Sequence, residues 1–384
     1  MLILCPYCRK QNEIEHVERG NNVECTCGAT FGLDDSTVLA DYSAVDAPPP
    51  KQIGPYPIER FIGRGGMGRV YLGRHPQLNI PVAVKTLFPE YAAKPELRDR
   101  FMQTAKICAK LDHPNIVRVY DFGFEEDGSP YLVLEYIAGG TLQEHLDQSG
   151  VISPRRAVEV GISIACALAE AHKCGIVHRD VKPDNIMMAS DGVCKLSDLG
   201  LAKIDLLEYS IREQQNYSKE TRTGGLGTLQ YMAPEQALSA KDCDIRADIY
   251  SLGVSLFQLL TDKLPYETYD PDKLYSLWFN VPPQSPHMLR PEIPPELEQI
   301  ILHCIEVEPE NRYQTPQELR EDLEACRDAV RQQKYQLRGE KITLRDRLEK
   351  EKEKSLFTPA FLLILFLLVV LCGLLVWIVK TATL

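Results

Sequence analysis

Apolar and polar positions change period along the chain, and each block predicts an element. YPIERFIGRGGMGRVYLGR (56–74) reads as strand, glycine turn, strand, and the apolar PVAV ending at Lys85 reads as a further strand. RDRFMQTAKICAKL (98–111) is a helix, and YLVLEYIAGGTL (131–142) is an apolar strand that runs out into Gly139-Gly140. RRAVEVGISIACALAEAHKCG (155–175) carries apolar residues at helical spacing, which predicts a core helix with Cys166 and Cys174 as packed thiols. The polar run 203–228, KIDLLEYSIREQQNYSKETRTGGLGT, predicts a mobile loop.

The C-terminal blocks differ in kind. Residues 327–356 are dense in helix formers and mixed charge, which predicts a helical stalk. Leu323, Val330, Leu337 and Leu344 recur every seven residues, but the companion positions are mostly Arg and Lys until Leu348. The stalk is therefore either a single solvated helix or one seam of a coiled coil that makes a homodimer. PAFLLILFLLVVLCGLLVWIV (359–379) holds no charge and is long enough to span a bilayer, giving a transmembrane helix over 357–380 and an external tail of 381–384. Lys341, Arg345, Arg347, Lys350, Lys352 and Lys354 precede the span and only Lys380 follows it. That asymmetry predicts a cell-membrane protein, single-pass, with everything before the span in the cytoplasm. Residues 34–55 are acidic and then proline-rich at Pro48-Pro49-Pro50, which predicts a semi-rigid linker.

Composition narrows the classes. The chain has 384 residues, 44% hydrophobic and 25% charged, enough for one large core plus extras. A net charge of −11 argues against nucleic acid as a partner. Of the twelve cysteines, four cluster at the N-terminus as Cys5-x-x-Cys8 and Cys25-x-Cys27, and the rest scatter singly, which is no disulfide framework. Two tight pairs joined by a short ribbon can set four thiolates around zinc, and 1–33 is too small to fold without such a centre. The second pair is one residue shorter than usual, so the alternative is four reduced, unliganded thiols. The segment resembles the zinc-ribbon knuckles of some bacterial signalling proteins. Its mixed charge points to protein contact or regulation rather than DNA.

The strongest chemistry lies in GIVHRDVKPDNIMMASDGVCKLSDLG (175–200). Asp180 can orient a hydroxyl and accept its proton, Lys182 can neutralise charge on a moving phosphoryl group, and Asn185 and Asp198 can hold magnesium or manganese. This spacing resembles the catalytic loop and metal-binding turn of eukaryotic-type protein kinases. His178-Arg179-Asp180 followed by Lys182-Pro183-Asp184-Asn185 resembles the bacterial serine/threonine branch, over about residues 56–326. The resemblance implies an α+β, two-lobed fold, with a strand-rich lobe over a helical lobe and ATP between them. It implies transfer of phosphate to Ser/Thr hydroxyls of protein substrates.

By the same resemblance, Gly63, Gly65, Gly66 and Gly68 approach the phosphates and Lys85 contacts them. Ile62, Val70, Ala83 and Met187 sandwich the adenine, Leu134 guards the back of the pocket, and the backbone of Glu135 and Ile137 holds the adenine edge. Arg179 and Lys203 form a basic pocket for a phosphorylated loop residue, with autophosphorylation expected at Thr221 or Thr223. Thr228 reaches toward Asp180 and Lys182, Glu235 pairs with Arg312, and Asp248 braces the catalytic loop. Asp184 can attract a basic substrate residue, whereas Thr141 stands where basophilic relatives carry an acid. One departure stands out: Thr104 occupies the helix position where the family has the glutamate that pairs with the strand lysine. Lys85 then pairs with Asp198, or Gln103 swings in. The chain is either a compensated enzyme or a nucleotide-binding pseudokinase scaffold.

Overall fold

Two short antiparallel hairpins form near the N-terminus. In the first, β1 (Leu2–Leu4) pairs with β2 (Gln11–Glu13); in the second, β3 (Asn22–Glu24) pairs with β4 (Thr30–Gly32). The computed structural model describes residues 2–4, 11–13, 22–24, 30–32, 48–65, 68–199, 229–238, 243–268 and 270–327. Cys5, Cys8, Cys25, Cys27, Gly66, Lys203, Thr221, Thr223 and Thr228 lie outside them, as do the stalk from 328 onward and the expected span at 357–380. Among the described residues no helix is long and apolar enough to cross a membrane.

A six-stranded antiparallel sheet follows. Its strands are β5 (Gln52–Ile53), β6 (Tyr56–Arg64), β7 (Gly68–Arg74), β8 (Pro81–Leu87), β9 (Val119–Phe124) and β10 (Pro130–Glu135), in the order β5-β6-β7-β8-β10-β9. Strand alternation decides what each face carries. Val82 and Val84 of β8 join Ile53, Tyr56, Tyr71, Tyr131 and Val133 in a buried cluster on one face. Ala83 and Lys85 therefore point the other way. Val70 and Leu132 stand opposite Lys85, and Leu72 and Leu134 stand opposite Ala83, so these six side chains share that second face.

Strand β5 belongs to this sheet although it precedes Tyr56. Ile53 is buried in the cluster, and the turn at Gly54 has φ +51°, where any Cβ would collide with the Tyr131 hydroxyl. The Tyr56 hydroxyl donates to Asp121 at 2.6 Å, tying the same corner to β9. A short helix α1 (Pro89–Ala92) and the longer α2 (Pro95–Cys108) follow β8, and α2 buries Leu97, Phe101, Met102, Ala105 and Cys108.

The lower lobe is helical. α3 (Leu142–Ser149) opens with a capping box in which Thr141 Oγ1 accepts from Glu144 N–H and Glu144 accepts from Thr141 N–H, both at 3.0 Å. Thr141 is thus spent on helix initiation. α4 (Pro154–Lys173) starts from an N-cap at Ser153, with Pro154 in the first turn, and buries nine residues as its helical spacing predicts. A hairpin of β11 (Ile186–Met188) and β12 (Cys194–Leu196) follows. After it come α5 (Pro234–Leu238), α6 (Arg246–Thr261), α7 (Pro271–Asn280), α8 (Pro286–Leu289) and α9 (Pro295–Cys304), and residues 316–327 are helical. α6 is buried on all sides from Ala247 to Phe257, so it is the axis of this lobe. At Gly161 of α4 an added Cβ would meet Leu323 at 2.9 Å and Leu256 at 3.2 Å, so glycine lets α4 close onto α6 and the final helix.

Candidate active site

The lower half of the site is built from α6 upward. Asp248, in its first turn, is wholly buried. Its Oδ2 accepts from His178 N–H at 2.8 Å and from His172 Nε2–H at 2.9 Å, and its Oδ1 accepts from Arg179 N–H at 2.7 Å. Three donors make the buried carboxylate tolerable, and they hold Arg179 at φ +64°, a costly conformation for a residue with a Cβ. Ser255 Oγ donates to Val181 O at 3.3 Å, adding a second brace from the same helix.

His178 links the next two turns. Its Nδ1 accepts from Asp180 N–H at 3.1 Å, which places the proton on Nε2, and Nε2 donates to Ser197 O at 2.7 Å. Asn185 Nδ2 donates to Asp180 O at 2.7 Å and to Asp180 Oδ2 at 3.0 Å. Lys182 Nζ lies 3.4 Å from the same Asp180 Oδ2. Ser197 N–H donates to Asn185 O at 2.9 Å, so the turn at Asp198, with φ +59°, is hung from the loop that holds Asn185. Asp180, Lys182, Asn185 and Asp198 are thus brought together, as the sequence spacing predicts.

The upper half comes from the sheet. Lys85 Nζ donates to Asp198 Oδ1 at 2.6 Å; its side chain is 7% exposed and that of Asp198 is 32% exposed. A buried ammonium needs an anionic partner, and here the partner comes from the turn at Asp198. Gln103 is exposed, so of the two expected replacements the structure has Asp198. Thr104 is half-buried, and the acids of α2, Glu96 and Asp99, are exposed nearer its N-terminus. One turn beyond Thr104, Cys108 Sγ donates to Leu199 O at 3.5 Å. Burial, and then the charge of Asp198, push the Cys108 thiol up to about 12. Cys108, Leu132, Leu134, Asp198 and Leu199 line a cavity of about 20 Å³ behind Leu134.

Register places the expected nucleotide residues. Val70, Ala83 and Lys85 share the face described above, and Ile62 sits at a bulge between β6 and β7, the kind of irregularity that re-aims a side chain. Gly65 N–H donates to Gly68 O at 2.9 Å to close the glycine turn, and a Cβ at Gly63 or Gly65 would meet open space. Met187 of β11 bridges to Thr141, beside the strand exit that carries Ile137. The Glu135 carboxylate faces Lys195 Nζ at 3.0 Å, away from its own backbone role.

Glu235 and Arg312 meet as expected: Arg312 is fully buried, and both guanidinium nitrogens lie 2.7 Å from the carboxylate. Sequence reasoning missed two buried polar groups. His172 has a partial signal, a histidine in the last turn of an otherwise apolar helix. Gln236, which is 3% exposed, donates from Nε2 to Arg179 O at 3.0 Å, and no sequence pattern marks it.

Comparison with known proteins agrees with this geometry. Residues 56–323 match the family model described as protein kinase domain. The chain is 38% identical over 272 residues to the serine/threonine-protein kinase PknB of Mycolicibacterium smegmatis, covering 70% of this chain and 42% of the relative. It is 37% identical over 281 residues to PrkC of Bacillus subtilis, covering 72% and 41%. The chain therefore spans about two fifths of the length of these curated relatives. The crystal structure of the Mycobacterium tuberculosis PknI kinase domain superposes with a TM-score of 0.55 at 26% identity, covering 71% of this chain and 97% of that one. With a buried aspartate bracing the 178–185 loop, a strand lysine reaching the turn at Asp198 and the match over both lobes, the chain belongs to the protein kinase family.

Proposed function

We propose that this chain is a serine/threonine protein kinase that transfers the terminal phosphoryl group of ATP to protein hydroxyls. The observation that carries this reading is the single cluster of Asp180, Lys182, Asn185, Asp198 and Lys85. The oxygen set fits magnesium. Asn185 spends its Nδ2 hydrogens on Asp180, and Lys85 takes Asp198 Oδ1. Asn185 Oδ1 and Asp198 Oδ2 are then hard oxygens with no hydrogen-bond donor among the described residues. Asn185 and Asp198 would hold magnesium, which would supply charge neutralisation at the nucleotide phosphates. Asp180 orients the incoming hydroxyl and accepts its proton, with Asn185 and Lys182 fixing the direction of its carboxylate. Lys85 grips the phosphates. The main chain of Glu135 and Ile137 meets the adenine edge.

The finer organisation is part of the same proposal. Cysteine pairs that fall in sequence between the strands of two successive hairpins support a zinc ribbon at 1–33. The uncharged run supports a single transmembrane helix at 357–380 with the kinase in the cytoplasm, and the stalk supports a homodimer. Thr221 or Thr223 is the autophosphorylation site read by Arg179 and Lys203. The purified chain incubated with radiolabelled ATP and magnesium, beside an Asp180→Asn variant, tests the activity. Label on the chain or on a generic acceptor from wild type alone is the expected result. No transfer from either protein supports the second reading, a nucleotide-binding scaffold, which the missing acid at Thr104 favours.

A further inference from the structure

The Arg179–Asp180 peptide carries the proposed base, and both ends of that peptide unit are tied. Its N–H donates to His178 Nδ1 at 3.1 Å, and its carbonyl, Arg179 O, accepts from Gln236 Nε2 at 3.0 Å. Gln236 comes from α5 and lies between two different anchors. Its neighbour Glu235 is locked by the buried Arg312, while Gln236 itself faces the catalytic loop. On the other side, Asp248 holds Arg179 N–H at 2.7 Å. The residue kept at φ +64° is therefore clamped from α6 through its nitrogen and from α5 through its oxygen.

We propose that Gln236 is a positioning residue: it sets the plane of the Arg179–Asp180 peptide, and hence the aim of the Asp180 carboxylate. The inference rests on the phosphoryl-transfer reading of the site. Two buried atoms beside this contact have no hydrogen-bond partner among the described residues, Gln236 Oε1 and Arg179 Nε.

The test uses the full chain with Gln236→Met, which keeps length and apolar volume but removes both ends of the amide. Misplacing a reacting group by a fraction of an ångström to one ångström lowers turnover by about ten- to a hundredfold. The expected result is kcat lower by about tenfold or more, with KM for ATP within about twofold of wild type, because Lys85 and Asp198 are untouched. Gln236→Glu adds a readout that packing alone would not move. Its carboxylate cannot donate to Arg179 O until protonated, so its kcat relative to wild type should rise as pH falls from about 8 to about 6. A kcat within twofold of wild type in Gln236→Met, or a loss that tracks only the unfolded fraction, overturns the proposal. Should wild type itself transfer no phosphate, the kinase reading fails, and amide hydrogen exchange over 176–182 decides the clamp separately. About tenfold faster exchange in Gln236→Met supports it, and unchanged exchange removes it.

Discussion

Thr104→Glu is the perturbation that most directly interrogates this site. In wild type the only carboxylate paired with Lys85 among the described residues is Asp198, at 2.6 Å, and Asp198 is also a proposed metal ligand. Lysine on Oδ1 and metal on Oδ2 would therefore share one carboxylate, and the lysine's charge weakens its hold on the metal. A glutamate at 104 would start one turn before Cys108, which already touches Leu199 O beside Asp198 at 3.5 Å. A charge-assisted hydrogen bond there contributes about 1.5–3 kcal/mol. Ordering and partly desolvating the new side chain costs about 1–2 kcal/mol. The net is about 1 kcal/mol, or about a fivefold gain in apparent affinity. Magnesium titration at fixed ATP, with phosphoryl transfer as readout, should show the midpoint and KM for ATP falling about fivefold, while the neutral isostere Thr104→Gln gains nothing. An unchanged midpoint in Thr104→Glu would refute the idea that Asp198 is shared.

Three further outcomes follow from packing and charge. Cys108 and Cys243 are each pushed up to about 12, by burial first and then by Asp198 and Asp248 respectively, so iodoacetamide at pH 8 should label exposed Cys174 and spare both. Their folded values exceed the ordinary 9.0, so the stability they contribute is full below pH 9 and is lost as pH rises toward about 12, which alkaline melting curves will read. Glu235→Gln leaves the buried Arg312 guanidinium without its counter-charge and should lower folding stability by about 3–5 kcal/mol in a denaturant titration. Gly54→Ala adds both a left-handed backbone penalty and a clash with Tyr131; a melting temperature within 1 °C of wild type would contradict the docking of β5.

Much of this was legible in the sequence because the chemistry is local. Asp180, Lys182 and Asn185 lie within one turn of chain, and Asp198 follows a hairpin too short to carry it away, so their convergence follows from spacing. The strands carrying Val70, Ala83 and Lys85 were legible for a different reason: period-2 alternation fixes the face once one residue is placed. The role of Thr141 was not legible. A threonine three residues before a glutamate signals a capping box, yet alignment to relatives drew attention to the acid it lacks. Strand β5 was hidden by the prolines before it, since Ile53 finds its partners only when Tyr56, Tyr71 and Tyr131 come together. Gln236 was invisible and His172 only partly marked, because a buried polar side chain is defined by a long-range partner, Arg179 in one case and Asp248 in the other.

The same distribution of contacts bears on whether a kinase can lack the helix glutamate. The group that activates the hydroxyl is braced from below. Asp248 and Ser255 of α6 hold the loop backbone, and His178 and Asn185 hold Asp180; none of these contacts reaches α2. Position 104, by the resemblance, would serve Lys85, whose partner here enters from the turn at Asp198. The two halves of the reaction thus depend on different elements, and the loss falls on the half that binds nucleotide. An acid missing from α2 should then weaken the hold on ATP and magnesium while leaving the aim of Asp180 intact, which is the signature of a low-affinity enzyme rather than of an inert scaffold.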